Sequence, residues 1–128
     1  MTILPVSHAN RGRYRFTVMG EAVPKQSFRY RAGRPYQSAR VRYWEDLVGW
    51  TAKEAMQGAA PLEGHLELNL VFFRKTRRRA DWDNLCKAIC DALNGIVWHD
   101  DSQIQQATVV IRRVENEPKV EVTVRRIE

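Results

Sequence analysis

Asp81 and Asp83 flank one tryptophan, Asp100 and Asp101 stand together about twenty residues later, and the run Arg74-Lys75-Thr76-Arg77-Arg78-Arg79 leads straight into the first pair. Clustered carboxylates repel a polyanion unless a divalent cation lies between them, whereas a run of arginines attracts one. Side by side, the two sets point to chemistry on a phosphodiester, with a hard cation such as Mg2+, or Mn2+ in its place, held by aspartate oxygens. Lys87 lies one helical turn beyond Asp83 and Asp91 one turn further, so all three share a face. Lys87 is either a partner for Asp91 or an ammonium facing a phosphate.

Each carboxylate also has an ordinary structural use. Asp83 suits a helix N-cap, and Asp100-Asp101 suits a solvated turn. Cys86 and Cys90 are four apart and lack the further ligands that zinc requires, so they read as packing residues. His99 reads as an exposed turn residue, and His8 and His65 have no supporting context.

Charge is distributed unevenly. The chain carries a formal charge of +6, but no acid occurs from Ala22 to Trp44, where Lys25, Arg29, Arg31, Arg34, Arg40 and Arg42 lie. With the 74–79 run, these two segments hold more than half of the 21 basic residues. That polarisation is the footprint of a nucleic-acid binder; a ribosome- or membrane-facing patch is the alternative. Phe28, Tyr30 and Tyr36 interleave with the arginines, where aromatic faces stack on unpaired bases or pack within the loop. The expected DNA-contacting set is Lys25, Phe28, Arg29, Tyr30, Arg31, Arg34, Arg74, Lys75, Arg77, Arg78 and Arg79.

These residues need a scaffold. The 128 residues suit one small domain, with residues 1–10 as a weakly ordered lead-in. Tyr14, Phe16 and Val18 alternate with polar residues as in a half-buried strand. Pro24, Gly33 and Pro35 then predict a loop without regular structure. Ser38 caps a helix with an apolar stripe at Val41, Trp44, Val48, Ala52 and Ala55, ending near Gly58. Leu66, Leu68, Leu70 and Phe72 mark a second strand. A short helix over about Asn84–Leu93, capped by Asp83, stops at Asn94-Gly95. Strands over about Ile104–Val114 and Val120–Val124 complete a β-α-β-α-β-β order, an α+β fold with a mixed sheet and two helices. A helix of ten residues is ~15 Å long, so the aspartate pairs meet within one chain only if the segment after Gly95 runs back along it. No apolar run approaches the ~20 residues of a membrane helix. Two unpaired cysteines and no secretory leader suggest a reducing cytoplasm, with the nucleoid as the place of work.

The pattern Asp81-x-Asp83-Asn84-Leu85-x-Lys87-Ala88, then Asp91-Ala92-Leu93, then Trp98-x-Asp100-Asp101-x-Gln103 resembles the signature of the RusA-type crossover junction endodeoxyribonucleases. Looser similarity extends from the loop near Pro24 to the closing strands. The resemblance implies a small α+β homodimer, frequently of prophage origin, that resolves Holliday junctions, serving DNA recombination and repair with magnesium and paired symmetric nicks. By position it implies Asp81, Asp83 and Asp101 as metal-binding catalytic carboxylates, Asp100 assisting and Lys87 near the scissile phosphate. Trp82 fills a slot that is often aliphatic, and His99 one that is often apolar or acidic; neither removes a ligand. Paired cuts need two sites, and one chain supplies one set, so a two-fold dimer matches a four-way junction. The rivals are a non-catalytic nucleic-acid-binding protein and a nuclease acting on flaps or forks.

Overall fold

Alternation at two positions and stripes at three to four positions generate nearly all the elements of the computed structural model, which describes residues 12–26 and 29–127. The chain runs β1 (Arg13–Met19), β2 (Arg29–Arg31), β3 (Arg34–Tyr36), α1 (Ala39–Met56), β4 (Leu66–Arg74), α2 (Trp82–Leu93), a single 3-10 turn (Asp101–Gln103), β5 (Ile104–Arg113) and β6 (Lys119–Arg126). The expected α+β order is present. The expected lead-in at residues 1–10 lies outside the described residues.

Two local readings are corrected. The arginine-rich loop holds a short antiparallel hairpin, β2 with β3, turned at Ala32 and Gly33 with φ of 53° and 76°. That positive-φ pair is the geometry tight hairpins require, and Gly33 meets it without strain. Pro35 is tolerated because a two-stranded ribbon consists only of edges. The second helix begins at Trp82, with Asp81 rather than Asp83 at the N-cap position.

The main sheet has the order β1-β6-β4-β5. β6 pairs antiparallel with β1 and β4, whereas β4 and β5 are parallel, with Leu70 opposite Val109 and Arg74 opposite Arg113. Parallel neighbours cannot be joined by a tight turn, and α2 is the crossover between them. Leu66, Leu68, Leu70 and Phe72 of β4 face the helices, together with Phe16, Val18, Val120, Val122 and Val124. From the other side come Val41, Trp44, Val48, Ala52 and Met56 of α1, and Leu85, Ala88, Ile89 and Leu93 of α2. Each Val, Leu, Ile, Phe or Met side chain among them contributes roughly 1.5–3 kcal/mol on burial.

Helix α1 starts where Ser38 Oγ accepts from the Val41 N–H at 3.3 Å and ends at Gln57 in the left-handed conformation, φ 50°. It crosses α2 at Gly49, where a Cβ would lie 3.2 Å from Ile96 Cδ1 and 3.7 Å from the Ala92 carbonyl. Substituting Gly49→Leu is expected to force the helices apart and cost about 1–3 kcal/mol, read as a lower urea midpoint; an unchanged midpoint would contradict this packing.

Candidate functional site

Strand β4 ends at Arg74, and the loop from residue 75 to 80 carries the chain to α2. Glu21 shapes that loop. Its Oε1 accepts from the backbone N–H groups of Lys75 (3.0 Å) and Thr76 (2.9 Å), and its Oε2 lies 3.5 Å from Arg74 Nε. Arg74 is itself nearly buried and donates to the Arg78 carbonyl at 3.1 Å. Arg74 is therefore committed to the loop's architecture, while Lys75, Arg77, Arg78 and Arg79 are exposed.

The parallel register adds basic residues that the linear pattern did not single out. Arg112 and Arg113 end β5 beside Phe73 and Arg74, and with Arg77, Arg78 and Arg79 they line one concavity. A smaller cavity of about 150 Å³ brings Arg40 of α1 beside Arg78 and Arg79. Arg40 belongs to the acid-free basic segment and Arg112-Arg113 is a visible pair, but their proximity to residues 77–79 is not written in the linear pattern. Arg29, Tyr30, Arg31 and Arg34 are carried on the β2–β3 hairpin; Phe28 lies outside the described residues.

Lys25, expected at the DNA-facing surface, is turned inward. Its Nζ sits 2.8 Å from Glu45 Oε2 on α1 and 3.0 Å from Asp91 Oδ2 on α2, and its backbone N–H donates to the Asn84 carbonyl at 2.9 Å. Asp91 is thereby taken up by Lys25, not by Lys87. Lys87 is exposed and has no ion-pair partner among the described residues.

The carboxylates fall into two groups. Asp81 and Asp83 are exposed at the N-terminus of α2; Asp81 makes no side-chain cap bond, and Asp83 Oδ1 accepts from the Asn84 N–H at 2.9 Å. Acids are favoured there by the helix dipole. Asp100 and Asp101 lie past the other end. Asp100 caps the 3-10 turn, accepting from the Ser102 N–H at 3.0 Å, and hydrogen bonds from the Ser102 side chain and backbone hold its carboxyl below the usual range. Asp101 is half-buried, and its Oδ2 accepts from Asn94 Nδ2 at 3.3 Å. Gln103 fixes this turn with four hydrogen bonds: Nε2 donates to the Leu62 and Gly64 carbonyls, and Oε1 accepts from the His99 and Asp100 N–H groups. His99 contacts Glu63 rather than the aspartates.

The segment after Gly95 does not run back along α2. It folds into a tight turn, Gly95 N–H to the Trp98 carbonyl at 2.7 Å, that keeps Asp101 at the helix's C-terminal end. Asp83 and Asn94 are eleven residue steps apart along α2 and its C-cap, roughly 16 Å at 1.5 Å per residue. Accordingly, no group of three His, Cys, Asp or Glu among the described residues is close enough to hold a metal ion. One chain carries two carboxylate pairs, not a closed cage.

Between the pairs, α2 presents Cys86 and Cys90. Burial raises both thiols, Cys90 to about 12, with Cys86, Asp101 and Asp91 adding to the effect and Lys87 opposing it. A thiol held as high as that of Cys90 stays protonated near neutrality, which suits packing rather than ligation.

The Lys25 pin yields a pH-dependent prediction. Burial alone would lower the ammonium's pKa, but hydrogen bonds and charge from Glu45 and Asp91 leave it raised. A raised folded-state pKa means its contribution is complete below the unfolded value of about 10.4 and disappears as pH climbs through the folded one. Lys25→Met should therefore cost about 3 kcal/mol by stranding two carboxylates, as measured by denaturant unfolding at pH 7 and 9. The difference from wild type should shrink at pH 11; a constant difference would refute the assignment.

Comparison with known proteins bears on this arrangement. The sequence model of the family Endodeoxyribonuclease RusA matches residues 19–125. Crossover junction endodeoxyribonuclease RusA of Escherichia coli strain K12 is 34% identical over 101 residues, covering 76% of this chain and 81% of that protein. The enzyme of the same name from Enterobacteria phage 82 is 30% identical over 115 residues, covering 87% and 92%. That from Aquifex aeolicus strain VF5 is 26% identical over 91 residues, covering 68% and 71%. With a matching segment that spans β4, the basic loop, both carboxylate pairs and β5, this chain belongs to the RusA family of endodeoxyribonucleases, enzymes that hydrolyse phosphodiester bonds within DNA.

Proposed function

We propose that the protein resolves Holliday junctions in DNA recombination and repair, cutting two strands symmetrically with Mg2+, or Mn2+ in its place. The observation that carries this reading is the setting of Asp81 and Asp83: two exposed carboxylates at the end of a loop lined by Arg77, Arg78, Arg79, Arg112 and Arg113. Aspartate oxygens suit a hard divalent cation. When bound, such an ion supplies water activation and offsets the charge that develops on the phosphate. The chain's own residues do the rest. The arginines seat the DNA backbone, and Lys87, one turn from Asp83, approaches the scissile phosphate and stabilises its charge.

Because Asp101 stands about 16 Å along α2 from Asp83, the carboxylate set is completed by a second copy of the chain. Strand β5 is an edge of the main sheet, and Trp82 and Ile111 are 61% and 46% exposed. Trp82, Cys86, Ala107 and Val109 line an apolar depression on the same side. An unpaired edge of ten residues invites a partner. A two-fold axis across the middle of β5 brings the Asp101 end of one chain to the Asp81–Asp83 end of the other, giving a homodimer with two shared sites, one per strand cut.

The reading is tested with a synthetic four-way junction. Asp83→Asn and Asp101→Asn should each abolish cutting while leaving binding in EDTA intact. Mixed and allowed to exchange subunits, the two inactive variants should regain single-strand nicking, since one of the two shared sites is then wild type. A mixture that stays inactive would refute the shared site, and an active Asp83→Asn protein would refute the catalytic reading itself. Replacing Arg79 by Ala should reduce the slope of log affinity against log salt by about 0.9 if it contacts one duplex phosphate, as measured by fluorescence anisotropy; an unchanged slope would exclude that contact.

A further inference from the structure

We propose that Asn94 is a positioning residue for the Asp101 carboxylate, transmitting the rigidity of the buried Trp98 ring to a group that holds the metal; the inference rests on the functional reading of Asp101 given above. Trp98 is completely buried. Its indole Nε1–H donates to Asn94 Oδ1 at 2.6 Å, and Asn94 Nδ2 donates to Asp101 Oδ2 at 3.3 Å. The direction of this chain is dictated chemically. An indole N–H can only donate, so it must face the amide oxygen, and the amide nitrogen must then point the other way, toward a carboxylate that can only accept.

The backbone holds the amide in place from below. Asn94 ends α2, its N–H donating to the Cys90 carbonyl at 3.0 Å, and Gly95 N–H closes the turn onto the Trp98 carbonyl at 2.7 Å. Gly95 adopts φ +80° to do so. Asp101 has one oxygen tethered, while its Oδ1 accepts no hydrogen bond among the described residues. A carboxylate fixed through one oxygen and free at the other is oriented before any cation arrives, so less rotational entropy is lost on binding. Groups that orient metal-binding carboxylates through such hydrogen bonds typically account for 10–100-fold in metal affinity.

The experiment titrates Mg2+ in junction cutting for wild type, Asn94→Ala, Trp98→Phe and Asp101→Asn, with junction affinity in EDTA and thermal unfolding recorded in parallel. Asn94→Ala should raise the Mg2+ concentration for half-maximal cutting about 10–100-fold, with saturating Mg2+ restoring the maximal rate and junction affinity unchanged. Trp98→Phe keeps a ring in the core but removes the donor, and should shift the half-point in the same direction by a smaller factor; it carries the test if Asn94→Ala does not fold. Asp101→Asn should not recover at any Mg2+ concentration. Wild-type half-points in the Asn94 and Trp98 variants, with Asp101→Asn inactive, would overturn the positioning role alone. A fully active Asp101→Asn would overturn the functional reading, and this inference with it.

Discussion

The parallel pairing of β4 with β5 is the constraint from which the rest follows. Two adjacent strands running the same way need a connection that returns the length of the sheet, and α2 provides it. The helix therefore has one end at the C-terminal ends of β4 and β5 and the other at their starts. Asp81 and Asp83 precede and open the helix, whereas Asp100 and Asp101 follow it, so the two pairs are separated by its length. The C-terminal end of the parallel pair also gathers the loop of residues 75–80 and the last residues of β5. Basic residues distant in the chain thus become one surface beside the loop that leads into the first carboxylate pair. Ligand sites at that end of parallel strands are a general consequence of where crossover loops emerge.

Such a concentration of like charge has to be held in shape. Two acid–base arrangements do this from inside. Glu21 binds two backbone N–H groups of the arginine-rich loop and approaches Arg74, so the loop is fixed through its main chain while three of its arginines face solvent. Lys25 joins α1 to α2 through Glu45 and Asp91. Lys25 is buried there, but both carboxylates are within reach of it and keep some contact with water, which offsets part of the desolvation cost. The one lysine of α2, Lys87, stays exposed.

The outer edge of the sheet is a second consequence. β1 and β5 are both edges, but β5 is flanked by exposed Trp82 and carries exposed Ile111, whereas β1 presents Arg13, Arg15 and Thr17 along its open face and an exposed apolar residue, Met19, only at its end. Charged side chains protect an edge, and apolar ones favour pairing. In the proposed function that difference assigns the dimer to β5 and makes the distance between the carboxylate pairs a requirement for assembly.

What the sequence by itself determined is the main strands and helices, whose patterns are encoded over short separations; the β2–β3 hairpin and the exact N-cap of α2 escaped it. The periods of Tyr14–Val18, Leu66–Phe72 and the α1 stripe gave strands and helix, because burial on one face demands those spacings; Ser38 gave the start of α1. The aspartates were also legible as candidate oxygen donors, because a preference for hard cations belongs to the carboxylate group itself. Only the tertiary structure decided that Lys25 and Arg74 face inward, since a cation's direction depends on whether acids from other elements come within reach. It alone brought Arg40, Arg112 and Arg113 to the basic loop and set Asn94 between Trp98 and Asp101. It also decided that the turn after Gly95 leaves the two aspartate pairs apart, because the direction of that turn follows from how β5 enters the sheet, which no local pattern specifies.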